Sequence, residues 1–188
     1  MSDKQYITTE QIGWTECHKF EVVSGVLCVT DPCYTRGTWC AGSLRNVKNG
    51  TWYARAFITN EGDWGNRVAK LLIEHADHMR GEPLPNVEEP FNVGVDSGQA
   101  GFFDDSIYPH GECGEFGDKS TFYGQVCDLT CGGDYRSDHR AGCIIGGRGV
   151  VTSSGYGDGG YGCYTRSEDG QVVAAMIVFI DDEEESHE

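Results

Sequence analysis

The sequence predicts an α+β fold, a mainly antiparallel β-sheet packed against one principal amphipathic helix. Three observations lead there. The 188 residues include 27 glycines but only 5 prolines, and 38% are hydrophobic. Glycine is thus about twice its usual level of roughly 7%, in a chain apolar enough to fold, and it marks turns rather than low complexity. Short runs of β-branched and aromatic residues recur between turn dipeptides. A single stretch, about 63–80, repeats its apolar residues at helical spacing instead.

Taken in order, Lys19 to Val23 and Val26 to Thr30 read as strands around Ser24-Gly25, a plausible hairpin. Trp39 to Val47 and Thr51 to Ile58 flank Asn49-Gly50, a strong hairpin signal because both residues tolerate positive φ. The helix follows, with Trp64, Val68, Leu71, Leu72, His75 and Met79 on its apolar face. Asn60 or Asp63 caps its start, and Gly81 with Pro83 supplies a stop. Phe91 to Val95, Thr121 to Leu129 and Gly149 to Ser153 read as further strands, the last two separated by a Gly- and Cys-rich loop. Tyr161 to Ser167 and Gln171 to Ile180 form a hairpin on Asp169-Gly170. The apolar run Val172 to Ile180 suits a central strand covered on both faces. It is too short for the roughly 20 residues that span a bilayer. Residues 1–180 are expected to form one β-rich domain, and 181–188 an acidic, disordered tail.

Lys and Arg number 14 against 30 Asp and Glu, a formal charge of −16. That balance disfavours direct nucleic-acid binding and docking onto anionic lipid. Without the six acids of the tail the chain still carries −10, so a basic protein surface is an expected class of partner. Arg36, Arg67, Arg136, Arg140, Arg148 and Arg166 leave room for a local anion pocket. The first residues lack an apolar signal, and nine cysteines cannot all pair within one chain. A cytoplasmic protein with mostly reduced thiols is expected.

Three segments share a design that periodicity does not demand. Asp31 ends one strand run. Asp96, Ser97 and Asp104 lie in Val93-Gly94-Val95-Asp96-Ser97-Gly98-Gln99-Ala100-Gly101-Phe102-Phe103-Asp104. Ser154, Tyr156, Asp158 and Tyr161 lie in Ser153-Ser154-Gly155-Tyr156-Gly157-Asp158-Gly159-Gly160-Tyr161. Carboxylates among glycines either bind their own loop amides or face a ligand. Convergence of Asp31, Asp96 and Asp158 would give a site for a small polar ligand or a divalent cation, walled by Tyr34, Phe102, Phe103, Tyr156 and Tyr161. The pattern is neither an EF-hand nor a P-loop, and no Gly-x-Ser-x-Gly elbow occurs. Cys127, Cys131, His139 and Cys143 have the donor types of a zinc site in a looser spacing than a paired C-x2-C.

The Val-Asp-x-Gly pattern with Phe and Asp following, and Ser-Gly-x-Gly-Asp-Gly-x-Tyr before two closing strands, resembles the family called domain of unknown function 4241. The likeness covers roughly Gly25 to Ile180. It implies a shared fold and a recurring Asp–Gly site, and it supplies no reaction. The chain is therefore expected to be a binding module for a small polar ligand or cation at these loops. The alternative is an acidic effector or inhibitor occupying a basic, nucleic-acid-like groove of a partner. An Asp-based hydrolase is the weaker third.

Overall fold

The computed structural model describes residues 6–81, 91–131 and 139–181. Among them the strands are β1 (Tyr6–Thr8), β2 (Gly13–Trp14), β3 (His18–Val22), β4 (Leu27–Thr30), β5 (Gly42–Leu44), β6 (Gly50–Asn60) and β7 (Asn66–His75). They continue as β8 (Phe91–Val95), β9 (Gln99–Asp104), β10 (Arg140–Ile144), β11 (Gly149–Ser153), β12 (Gly159–Glu168) and β13 (Gln171–Val178), with one α-helix, α1 (Phe122–Cys131). Two antiparallel sheets result. The first runs β1-β10-β11-β9-β4-β5, and the second runs β2-β6-β7-β13-β12-β8 with β3 also paired to β6. The fold is thus β-rich with a single described helix, and no described helix is long and apolar enough to cross a membrane.

The sheets face each other across one apolar layer. Strand β6 shows the cause most simply: Trp52, Ala54, Ala56 and Ile58 alternate inward along it while the residues between are only partly covered. They meet Ile7, Val29, Phe102 and Val150 of the first sheet and Phe20, Leu71, Ile73 and Ile177 of their own. Each such large side chain, when fully buried, contributes roughly 1.5–3 kcal/mol. The Trp52 indole also donates to the Lys48 carbonyl at 2.8 Å, so its burial leaves no orphan donor.

Strands Phe91–Val95 and Gly149–Ser153 and the hairpin around Asp169-Gly170 stand where the sequence put them. Asp169 and Gly170 both take positive φ, 51° and 77°. As expected, β13 is central, between β7 and β12, with nearly every residue buried.

Three readings are corrected. The helix expected at about 63–80 is instead a 3-10 turn (Gly62–Trp64), strand β7 and a second 3-10 turn (Ala76–His78). Strand β7 is flanked by β6 and β13 and buried on both faces, so Val68, Ala69, Leu71, Leu72 and Ile73 fall on both faces and mimic a helical spacing. The stretch Thr121 to Leu129, read as a strand, is most of α1. Its first turn is capped by Thr121, whose Oγ1 accepts the Gly124 amide at 3.2 Å. A Cβ on Gly124 would lie 1.9 Å from the Asp118 carbonyl oxygen, which accounts for glycine inside the helix. Finally, Ser24-Gly25 and Asn49-Gly50 are corners, not hairpins. Strands β3 and β6 belong to the second sheet, β4 and β5 to the first.

Helix α1 and the segment before it cover the outer face of the first sheet, where Phe103, Tyr108, Val126, Cys143 and Val151 pack together. On the outer face of the second sheet Leu72, Ala174 and Met176 adjoin Trp14 and Tyr164. Beside them the nearly buried Glu74 carboxylate lies 3.9 Å from the guanidinium groups of both Arg55 and Arg166.

Candidate functional site

The site is assembled from two corners where the chain passes between sheets. Residues 96–98 lead from β8 in the second sheet to β9 in the first; residues 154–158 lead from β11 in the first to β12 in the second. Strands β8 and β12 pair up to Val95↔Gly159, so Asp96 and Asp158 are the next residues on facing strands. The Ser154 amide donates to the Gly98 carbonyl at 3.0 Å and ties one corner to the other. Both Asp96 and Asp158 are exposed.

Asp31, at the end of β4, lies fully buried beneath the first corner. Its Oδ2 accepts the Asp96 amide at 2.9 Å and the Ser97 amide at 2.7 Å. Its Oδ1 accepts the Ser97 hydroxyl at 2.7 Å and the Cys33 amide at 2.8 Å. A carboxylate offers about four lone-pair sites, and here all are taken by the protein. The three Asp loops therefore converge, but Asp31 is withdrawn from ligand contact and works as the anchor that places Asp96. Ser97 is likewise engaged, through both its amide and its hydroxyl.

Other expected residues divide between structure and surface. Asp104 is four residues from the Asp31 level along β9, since Thr30 pairs Gly101 and Leu27 pairs Asp104. At about 3.3 Å per residue it is roughly 13 Å away and belongs to a different corner. There it accepts Val23 and Ser24 amides at 2.7 and 3.0 Å, and the Ser106 amide at 2.9 Å. Burial by itself would raise the Asp104 carboxyl, but the hydrogen bonds from Ser106, Ser24 and Val23 outweigh it and hold the group below the ordinary carboxylate range. Ser154 is buried, its hydroxyl donating to the Gly157 carbonyl at 2.7 Å. The Tyr161 hydroxyl reaches the Ser154 and Gly157 carbonyls at 3.1 and 2.7 Å, so both residues brace the loop that carries Asp158. Phe102 and Phe103 are fully buried and wall nothing. Tyr156 is exposed but turns away to Glu61 and Trp64.

A groove of about 450 Å³ is floored by Gly94, Gly159 and Gly160 and edged by Asn92, Cys40 and Trp39; Asp96 and Asp158 stand just past its floor strands, beyond the last pair Val95↔Gly159. Trp39 is 94% exposed, the most exposed large apolar side chain among the described residues. The Gly94 amide donates to the Cys40 carbonyl at 2.9 Å, and a Cβ on Gly94 would come within 2.6 Å of the Cys40 side chain. Glycine is thus what lets the Trp39–Cys40 segment lie down on β8. Beside it Tyr34 is held as the neutral phenol, first by burial and then by the Asp96 carboxylate and the Cys40 thiol next to it. Read from sequence, Trp39 is only the start of a strand. Its exposure follows from the Thr38–Ala41 turn, which shows no local sequence signature beyond Gly37.

The zinc arrangement does not form. Among the described residues no three His, Cys, Asp or Glu side chains make a metal-holding group. Cys127 and Cys131 share one face of α1, with Cys131 donating to the Cys127 carbonyl at 3.1 Å. Cys143 packs on β10 in the layer beneath the helix, and the His139 carbonyl accepts the Thr9 amide. No disulfide joins any of the nine cysteines. The acidic tail lies outside the described residues apart from Asp181.

The family described as protein of unknown function (DUF4241) matches residues 20–177. No curated protein and no solved structure matches the chain.

Proposed function

Since the chain belongs to the DUF4241 family of proteins of unknown function, whose name fixes no reaction, we propose a role from the site itself: a binding module for a small, polar, hydroxyl-rich ligand at the Trp39–Asp96–Asp158 groove. The observation that carries it is the almost fully exposed Trp39 indole over a glycine floor, on the strands β8 and β12 whose next residues are the exposed Asp96 and Asp158. An indole face covers the C–H surface of a sugar-like ring. Carboxylates and the Asn92 amide take up its hydroxyls. Glycine lets backbone and ligand approach closely. A divalent cation draws less support, because Asp31 has no oxygen site to offer.

Calorimetric titration with a panel of neutral disaccharides, and with calcium, tests the proposal. Saturable heat from a disaccharide that disappears in Trp39→Ala and Asp158→Asn, with urea midpoints unchanged, supports it. No heat from any sugar, or heat that survives both substitutions, overturns it. Heat from calcium alone would restore the cation reading in its place.

A further inference from the structure

A second cavity, about 510 Å³, opens where the β1–β10 side of the first sheet meets the β6–β7 end of the second. Its frame is tied across the sheets: Asn66 Nδ2 donates to the Thr9 carbonyl at 2.8 Å, and the Thr9 amide to the His139 carbonyl at 2.9 Å. Trp64 forms a wall with 67% of its surface exposed, and the Tyr156 ring braces it edge-on at 6.4 Å. Arg67 Nε donates to the Trp64 carbonyl at 3.0 Å, and both residues line the cavity. Arg140 lies over the Tyr6 ring at 4.7 Å and reaches the same cavity, as does the exposed His139. None of the described lining residues is Asp or Glu, in a chain with 30 acids and 14 bases. Glu61, next to the turn, is engaged by the Tyr156 hydroxyl.

We propose that this cavity binds a nucleoside monophosphate, its base stacked on Trp64 and its phosphate held by Arg67. The volume is that of a small-molecule pocket, for which roughly 300–1,000 Å³ is usual. Guanidinium forks match phosphate oxygens in pairs, and an exposed indole offers a face to any base. The net negative charge does not oppose this at short range, because at physiological salt fields are screened over about 8 Å. A mononucleotide fits better than a nucleic-acid strand, which would have to follow the acidic surface beyond the cavity.

The test is calorimetry of the full chain with each of the four ribonucleoside monophosphates, with adenosine and with inorganic phosphate. At least one monophosphate should bind about tenfold or more tightly than adenosine or phosphate, the gain of one added charge-assisted contact or stack. Arg67→Gln and Trp64→Ala should each weaken it by a similar factor with urea midpoints unchanged, and Trp39→Ala should leave it unaltered. Absence of saturable binding, phosphate binding as tightly as every nucleotide, or full affinity in both Arg67→Gln and Trp64→Ala overturns the proposal. The Trp39→Ala control keeps this site separate from the sugar-like ligand groove.

Discussion

Replacing Asp104 by asparagine changes one buried atom and removes one charge at the corner that hands the chain from β3 to β4. The carboxylate accepts three backbone amides, two on Oδ2 and one on Oδ1. Asparagine can keep its carbonyl oxygen toward Val23 and Ser24, but its NH2 then faces the Ser106 N–H. Two charge-assisted bonds become neutral, each weaker by about 1 kcal/mol, and one buried donor loses its acceptor at about 1–3 kcal/mol. The expected cost is about 3–5 kcal/mol, out of a total stability of roughly 5–15 kcal/mol. Urea denaturation at pH 7 should show it as a lower midpoint at unchanged slope. Because the folded-state group titrates below its unfolded value, its stabilisation is complete above about pH 5 and lost as pH falls through the folded value. The gap between parent and Asp104→Asn should thus hold constant from pH 7 to about 5 and narrow below about 4. A gap under about 1 kcal/mol at pH 7, or one that stays level into acid, refutes the reasoning.

Other expectations can be checked with the same tools. Asp31→Ala leaves four donors without an acceptor and should cost about 4 kcal/mol or more, whereas Asp96→Asn, at an exposed carboxylate, should shift the urea midpoint by little. Gly101→Ala should destabilise by about 3 kcal/mol or prevent soluble expression, since its Cβ would meet the Val150 carbonyl oxygen at 2.1 Å; Gly160→Ala, with nothing within 4 Å, should match the parent in the same denaturation. The Cys131 thiol is drawn down to about 6, first by the neighbouring Cys127 thiol, whose side chain hydrogen-bonds its thiolate, and then by Thr130 and Arg140, while burial pushes Cys28 up to about 11. Brief iodoacetamide treatment at pH 7 followed by mass spectrometry should find Cys131 alkylated well before Cys28; equal labelling would contradict this. Glu74→Gln should cost about 3 kcal/mol by leaving the Arg55 guanidinium without its carboxylate, while Arg166 keeps Glu168 and the His78 carbonyl; the loss is read as a fall in melting temperature.

The sequence conveyed the class of fold and the cluster of Asp–Gly loops because both depend on local chemistry. A turn at Asp169-Gly170 needs positive φ wherever it occurs, and the dipeptide announces it. The same requirement misled at Gly25 and Gly50, with φ of 68° and 125°. A corner between sheets and a hairpin make one demand on the backbone, and nothing nearby says which sheet the next strand joins. In β7 burial on both faces erased the alternation that would have marked a strand. In α1 the residues Phe122, Tyr123, Val126 and Thr130 have strand preferences, and the Thr121 cap was the available signal for a helix. The convergence of Asp31, Asp96 and Asp158 was legible as a pattern. That Asp31 is spent on four internal donors was not, because those donors come from residues up to 66 positions away.

The two corners of the candidate site belong to a route that changes sheet between β1 and β2, β3 and β4, β5 and β6, β8 and β9, and β11 and β12. Neither sheet is complete in any half of the chain. Strand β13, the last of the described strands in chain order, separates β7 from β12 in the finished sheet. A growing polypeptide therefore has no autonomous half to fold early, and contacts distant in sequence must close together before any of them is secure. Synthesis should yield a long-lived, protease-sensitive chain that gains resistance only after β13 emerges, so that the ligand-bearing corners and the whole sandwich mature in one step.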